Sequence, residues 1–361
     1  MEQTFDVNIR DHPGKVEPRH YPFVHNIEGI NVKTLPKFSK VGMKLIKTVT
    51  GKILKGYAVS EITLPSMALA NSSHAQGQLK ELALVSEYIN YAVNSTKDPV
   101  ERAKLIFGGT VGSLTFTPTY FQGMMPIPVP VGSTSQAETP SGVKLYYEKF
   151  GPKKNDAYIY GIGPDDSFKL SLATCQTIKM RGIKPSKLKV VREKPLKIDI
   201  GGTKYTVTYP LGEIDDALRS TKLIRFVKNF SVKDETNNIE VIGTIVPPKG
   251  KGGWFKKATD TNVEELNKFE IEVRQEGKKI GGGVGSWSAY VQIDGKLYWS
   301  AEDVQPDVKY EGEARQLPSD VSDWDVVQLI IDEKFEEADQ ILKKLEKADD
   351  DAAKARKKKK R

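Results

Sequence analysis

Apolar residues in this chain alternate with polar ones far more often than they recur at helical steps. From Lys37 to Leu64, Val41, Met43 and Leu45 step by two, and Val49, Ile53, Tyr57, Val59 and Ile62 follow around Gly51 and Gly56. A period of two puts successive side chains on opposite faces of a strand. The period changes at Gln76. Leu79, Leu82, Val85, Tyr88, Ile89 and Val93 recur at three- and four-residue steps and predict a helix over 76–94. A second helix is predicted from Asp98. Asp98 can cap it, Pro99 suits the first helical position, and Glu101 completes the spacing of a capping box. Its end is placed at Gly108-Gly109, with strand pattern resuming from Ser113 to Phe121.

Alternation then dominates. Strands are predicted at Val143–Phe150, Ala157–Ile162, Leu188–Arg192, Leu196–Ile200 and Lys204–Tyr209, with a short helix at Glu213–Arg219. Further strands follow at Leu223–Val232, Ile239–Val246, Phe269–Gln275, Lys279–Ile293 and Lys296–Trp299. Gly201-Gly202 and Asp294-Gly295 have the composition of two-residue hairpin turns. Trp324, Val327, Ile330 and Ile331, then Phe335, Ala338, Ile341, Leu342 and Leu345, mark a closing pair of helices. The fold class read from this pattern is mainly β and antiparallel, barrel- or sandwich-like, with an inserted helical hairpin and a C-terminal helical pair.

Proline and glycine divide the chain. Pro13, Pro18, Pro22 and Pro36 make residues 1–36 an extended N-terminal arm. Residues 37–121 are a mixed region holding the helical hairpin. The run Met125-Pro126-Ile127-Pro128-Val129-Pro130 makes 122–142 a Pro-rich loop or linker. Residues 143–310 form a β-rich basic body, and 311–361 carry the helical pair and a basic tip.

Charge sharpens this division. The net charge is +8. Residues 140–260 hold 23 basic and 13 acidic side chains, or +10, whereas 261–353 hold 11 and 23, or −12. Seven of the last eight residues are basic. Opposed blocks of this kind indicate contact with a polyanion or between copies of the chain. No apolar run approaches the roughly 20 residues that span a bilayer, and Met1–Lys15 has no apolar segment of a secretory signal. The expected location is cytoplasmic or in a virion, neither secreted by a signal peptide nor transmembrane. The single cysteine, Cys175, cannot form an internal disulfide and reads as a structural thiol.

Catalytic signals are missing from the pattern. The four histidines, His12, His20, His25 and His74, lie far from the predicted body and have no cysteine partners, so no metal site is predicted. They read as surface or arm-packing residues. The glycine run Gly281-Gly282-Gly283-Val284-Gly285 lacks the Lys-Ser/Thr and the following helix of a phosphate loop, and predicts a bulged or tightly packed hairpin arm instead. Asp165-Asp166 and Asp215-Asp216 fit turns and caps. The chain is therefore read as non-enzymatic, without a cofactor.

The strand–helix–strand order over 187–246 matches an oligonucleotide-binding barrel. Lys189, Arg192, Lys222 and Arg225 lie on or beside its strands, and the loop Lys251, Trp254, Phe255, Lys256 and Lys257 interleaves cations with aromatics, as single-strand binders do. Phe226, Phe230, Tyr205 and Tyr209 offer stacking faces. Two functions follow. The first is a structural or assembly protein of a large complex, sharpest as a phage-type virion component, whose partners are other copies of itself or other structural proteins. The second is a protein that binds single-stranded or packaged DNA, or RNA. Neither includes a membrane or a small-molecule ligand as partner.

Overall fold

The computed structural model describes residues 7–11, 65–66, 69–120, 125–151, 156–180, 188–215, 223–246, 267–303, 308–310 and 324–359. Within them the predicted antiparallel β architecture, helical hairpin and closing helical pair are all present. Alternation forms the strands. In β5 (Lys144–Lys149), Leu145, Tyr147 and Lys149 are buried. In β16 (Lys268–Gln275), Phe269, Ile271 and Val273 are buried while Lys268, Glu270 and Gln275 face outward.

The described strands make three sheets. The largest has fourteen strands in the order β1-β19-β18-β17-β16-β15-β14-β11-β10-β7-β6-β5-β4-β20. These are β1 (Arg10–Asp11), β4 (Thr134–Glu138), β5, β6 (Ala157–Ile162), β7 (Lys169–Ala173), β10 (Leu196–Ile200), β11 (Thr203–Thr208), β14 (Phe230–Asp234), β15 (Ile239–Ile245), β16, β17 (Lys278–Ser286), β18 (Tyr290–Ile293), β19 (Lys296–Ser300) and β20 (Lys309–Tyr310). It is a meander with two excursions. β8 (Gln176–Met180) with β9 (Leu188–Arg192), and β12 (Leu211–Asp215) with β13 (Leu223–Val227), leave it to build a four-stranded sheet, β13-β12-β9-β8. A parallel pair, β2 (Leu69–Ser73) and β3 (Met125–Ile127), forms the third.

This topology corrects the barrel expected over 187–246. Its strands are shared between two sheets and close no small barrel of their own. Glu213, assigned by pattern to a short helix, lies in strand β12 opposite Lys189 and Arg225. The hairpin turns hold: Gly201 and Gly202 have φ of 57° and 91°, and Asp294 and Gly295 of 48° and 85°, the left-handed values a two-residue turn requires.

Two helices pack on the concave interior. α1 (His74–Ser95) is capped reciprocally, since Ser73 Oγ accepts from Gln76 N–H and Gln76 Oε1 accepts from Ser73 N–H. α2 (Pro99–Tyr120) starts with Asp98 accepting from Val100 N–H at 3.0 Å, but Glu101 serves elsewhere, accepting from the Tyr298 hydroxyl at 2.9 Å. α1 packs against β4 and β5, and α2 against β14, β15, β18 and β19. Strands from the middle and from both ends of the sheet thus meet one helical hairpin, so the sheet curls around it and shares one apolar core with it.

The pattern misplaced the end of α2. The helix runs through Gly108-Gly109 because those glycines are contact points: a Cβ on Gly109 would lie 2.6 Å from Tyr88 Cβ, and one on Gly112 2.6 Å from Trp299 Nε1. Opposite them, Phe107 stacks on Phe230 at 5.3 Å, and Phe230 meets Phe269 edge-on at 5.2 Å. The glycine run lies in β17, beside a register shift in β16 at Val273/Arg274, and is a packed hairpin arm. A Cβ on Gly282 would sit 2.6 Å from the Ile271 carbonyl oxygen.

The closing helices, α3 (Trp324–Ile331) and α4 (Phe335–Lys359), dock on the β2–β3 pair. Val326, Val327, Ala338 and Leu342 join Leu69 and Ile127 in a second, smaller core. Ser66 anchors α4 by donating from Oγ to the Phe335 carbonyl and from N–H to Asp339. No described helix is long and apolar enough to cross a membrane.

Candidate functional site

The interior is not wholly apolar. His74, Gln78 and Glu81 stand at i, i+4 and i+7 on α1, a spacing that lines one face of a helix, and all three are buried. Facing them, β5 turns inward Leu145, Tyr147 and then Lys149, which is 1% exposed. A lysine has taken an inward position of the alternation that burial normally reserves for apolar side chains. From the small sheet, the last residue of β9, Arg192, reaches the same place and pairs with Glu81. Its guanidinium lies 4.4 Å over the ring of Tyr209. Gln78 Nε2 donates to the other Glu81 oxygen at 3.4 Å.

This cluster holds more buried polar atoms than its described hydrogen bonds satisfy. His74 Nδ1 is 3.0 Å from the Tyr147 hydroxyl, leaving Nε2 buried with no described partner. Arg192 Nη1 and the Tyr209 hydroxyl are also buried and unpartnered among the described residues. Burying such a group without a hydrogen bond costs about 1–3 kcal/mol, and folded proteins leave few of them. Three lie at one place, on a polar stripe inside an apolar core.

Electrostatics are set by burial. Desolvation, reinforced by the charges of Lys149 and Arg192, pushes His74 down to about 3, so the imidazole is neutral. Burial opposes the charge of Arg192, but the Glu81 carboxylate more than offsets it and the guanidinium is held more firmly protonated. Desolvation raises the Tyr209 phenol, which stays a neutral hydroxyl. The site thus offers two cations, one carboxylate, a neutral imidazole and a phenol, a set suited to holding an oxygen-bearing group.

Among the described residues singled out by sequence, Arg192 and Tyr209 belong to this cluster. Arg225 is bound to Glu213 through Nε and Nη2, at 3.1 and 2.8 Å. Lys189 is half-buried on β9. Lys222, Lys251, Trp254, Phe255, Lys256 and Lys257 lie outside the described residues. The aromatics expected to stack bases face inward: Tyr205 and Phe230 are core residues, and Phe226 meets Trp287 edge-on at 5.0 Å. His74, read as a surface or arm-packing residue, is buried among the residues of the site. Two signals in the sequence pointed to it: the helical spacing of His74, Gln78 and Glu81, and the alternation Val143, Leu145, Tyr147, Lys149 that carries a cation inward.

No family model matches the chain. Oxysterol-binding protein 9 of Dictyostelium discoideum is 22% identical over 323 residues, covering 83% of this chain and 70% of that protein. Among solved structures, the Osh3 ORD of Saccharomyces cerevisiae, in complex with PI(4)P, superposes with a TM-score of 0.62 at 11% identity, over 98% of this chain and 88% of that one. The Osh1 ORD domain, in complex with cholesterol, gives 0.66 at 13% identity, over 86% and 80%. The same domain with ergosterol gives 0.64 at 14% identity, over the same shares.

These likenesses fix the fold as that of the Osh ORD structures and overturn three expectations from the sequence. The chain is neither a phage-type virion component nor a nucleic-acid-binding protein, and a partner list of DNA, RNA, structural proteins or further copies of itself misses the small lipids bound by the proteins it resembles. The physical reason agrees with the geometry. Arg192 and Arg225, two of the cations expected to meet phosphates, are paired with Glu81 and Glu213, and the aromatics pack in or against the core.

Proposed function

We propose that this protein is a lipid carrier, which takes a single lipid into the interior of the curled sheet and moves it between membranes without chemical change. The observation that carries this reading is the trio of buried polar atoms, His74 Nε2, Arg192 Nη1 and the Tyr209 hydroxyl, left without described partners inside an apolar core. A lipid supplies both halves of what that place lacks: an oxygen-bearing end for the donors and a hydrocarbon body for the surrounding core. Likeness to structures solved with PI(4)P, cholesterol and ergosterol supports sterols and phosphoinositides as the lipids to try first. Both present oxygen to the polar stripe, as a hydroxyl or as a phosphate. A peripheral location on the cytoplasmic side of membranes fits such a carrier.

The test is extraction. Purified protein is incubated with vesicles containing ergosterol, cholesterol or PI(4)P, the vesicles are sedimented, and lipid in the supernatant is measured. Near-equimolar lipid with one of the three supports the reading and separates sterol from phosphoinositide. Supernatants free of all three, together with purified protein that carries no lipid by mass spectrometry, would overturn it.

A further inference from the structure

The buried site leaves one feature of the sequence unused. Lys354, Arg356, Lys357, Lys358, Lys359, Lys360 and Arg361 make seven basic residues among eight, and α4 runs through most of them, to Lys359. The docked part of α4 ends near Leu345: Ala338 and Leu342 are buried, whereas Lys347, Ala348, Asp351 and Ala355 are exposed. Fourteen residues, 346–359, therefore continue the helix past its last apolar contact, an arm of about 20 Å at 1.5 Å per residue. One or two cations in a last turn are enough to offset the carbonyl end of a helix. A run of seven exceeds that need.

We propose that the basic run 354–361, which follows the exposed stretch of α4, is an electrostatic tether for an anionic lipid surface. The occupant follows from charge. Each Lys or Arg held near an anionic bilayer contributes about 1 kcal/mol, and clusters of this size are the sequence form of such attraction. No apolar face accompanies the run, so it meets headgroups and does not insert. Its neighbour sets the approach. Asp349, Asp350 and Asp351 form an acidic turn immediately before the basic run. This acidic run is repelled by the same surface that attracts the basic one, so α4 meets it end-on with the basic run leading. This role rests on the carrier reading only in that a carrier must visit membranes; the charge argument stands apart from it.

Flotation of the full chain tests this, with vesicles of phosphatidylcholine alone and of phosphatidylcholine with phosphatidylserine, at low and high salt. The expected result is binding to the phosphatidylserine vesicles only, lost at high salt, and weakened about tenfold or more in K357Q/K358Q/K359Q/K360Q. The variant should extract lipid from neutral vesicles as well as the wild type does. Equal binding of wild type to both vesicles, or unchanged binding of the variant, overturns the tether. Retention by single-stranded DNA with none on phosphatidylserine vesicles would give the run to nucleic acid and also overturn it. Asp349→Asn/Asp350→Asn/Asp351→Asn should strengthen vesicle binding several-fold, and unchanged binding would remove the end-on approach. A chain that floats with anionic vesicles yet extracts no lipid overturns the carrier reading and leaves the tether in place.

Discussion

Glu81 on α1 and Arg192 at the end of β9 form an ion pair inside the protein, with side-chain exposures of 2% and 13%. The pair ties the four-stranded sheet to the helical hairpin. It also fixes the guanidinium over Tyr209 and leaves Nη1 without a described partner. One contact therefore joins the architecture to the candidate site.

Breaking the pair from one side should be costly. Glu81→Ala leaves the guanidinium buried without its countercharge, and the expected loss is about 3–5 kcal/mol of unfolding free energy. Glu81→Leu with Arg192→Met removes both charges and should cost much less, because neither ion is then left to desolvate. Urea denaturation of the variants measures both. A single-variant loss below about 1 kcal/mol would mean that water reaches the pair in solution.

His74 gives the stability a defined pH dependence. Its folded value, about 3, lies below the ordinary histidine value near 6.5. The unfolded chain therefore takes up a proton on acidification that the folded protein refuses. The stability associated with the neutral imidazole is complete above about pH 6.5 and is lost as pH falls from there towards 3, at up to about 1.4 kcal/mol per pH unit. His74→Gln removes this slope. Unfolding free energies at a series of pH values should fall more steeply for the wild type than for the variant, and parallel curves would show that the imidazole is solvated.

A glycine in α2 sets propensity against packing. In an exposed helix interior, Gly→Ala stabilises by about 1 kcal/mol. At Gly109 the added Cβ would lie 2.6 Å from Tyr88 Cβ and 2.7 Å from its Cγ, closer than bonded neighbours aside any two carbons pack. Gly109→Ala is expected to destabilise by about 1–3 kcal/mol as the helices separate or Tyr88 leaves its rotamer. Thermal unfolding decides the sign, and a raised Tm would show that α1 and α2 are less closely packed.

How far the sequence foretold this protein depended on the range of the cause. Alternation found the strands because burial of every second residue is a local fact, and Gly201-Gly202 and Asp294-Gly295 marked their turns because positive φ is a local demand. Gly108 and Gly109 misled because their purpose lies on other elements, Tyr298 and Tyr88, which pattern cannot bring near. The same holds for the excursions of β8–β9 and β12–β13 into a second sheet. The site failed for a related reason. Basic residues and aromatics were read as a surface, yet Arg192 and Tyr209 turn inward onto Glu81. Lys149 showed its burial locally, by holding an inward position in β5, as did the helical spacing of His74, Gln78 and Glu81, but both cues were weaker than the count of cations around them.

Tyr209 separates the carrier reading from a purely structural one, because the two predict effects of opposite sign. Its hydroxyl is buried without a described partner and its ring lies under Arg192. Tyr209→Phe keeps the ring and removes the oxygen. In the empty protein this takes away a desolvated polar atom, so stability should be unchanged or should rise by up to about 1–3 kcal/mol. If the hydroxyl meets the polar end of a lipid, the same change removes a hydrogen bond worth roughly 0.5–1.5 kcal/mol, and lipid affinity should fall about two- to tenfold. The stabilisation that lipid confers, which grows with the logarithm of its concentration over Kd, should shrink in step. Melting curves of lipid-free and lipid-loaded protein, for wild type and variant, measure both effects together. A variant less stable when empty would show that the hydroxyl already has a partner within the fold. A variant with full lipid affinity would remove Tyr209 from the site and leave His74, Lys149 and Arg192 to account for binding.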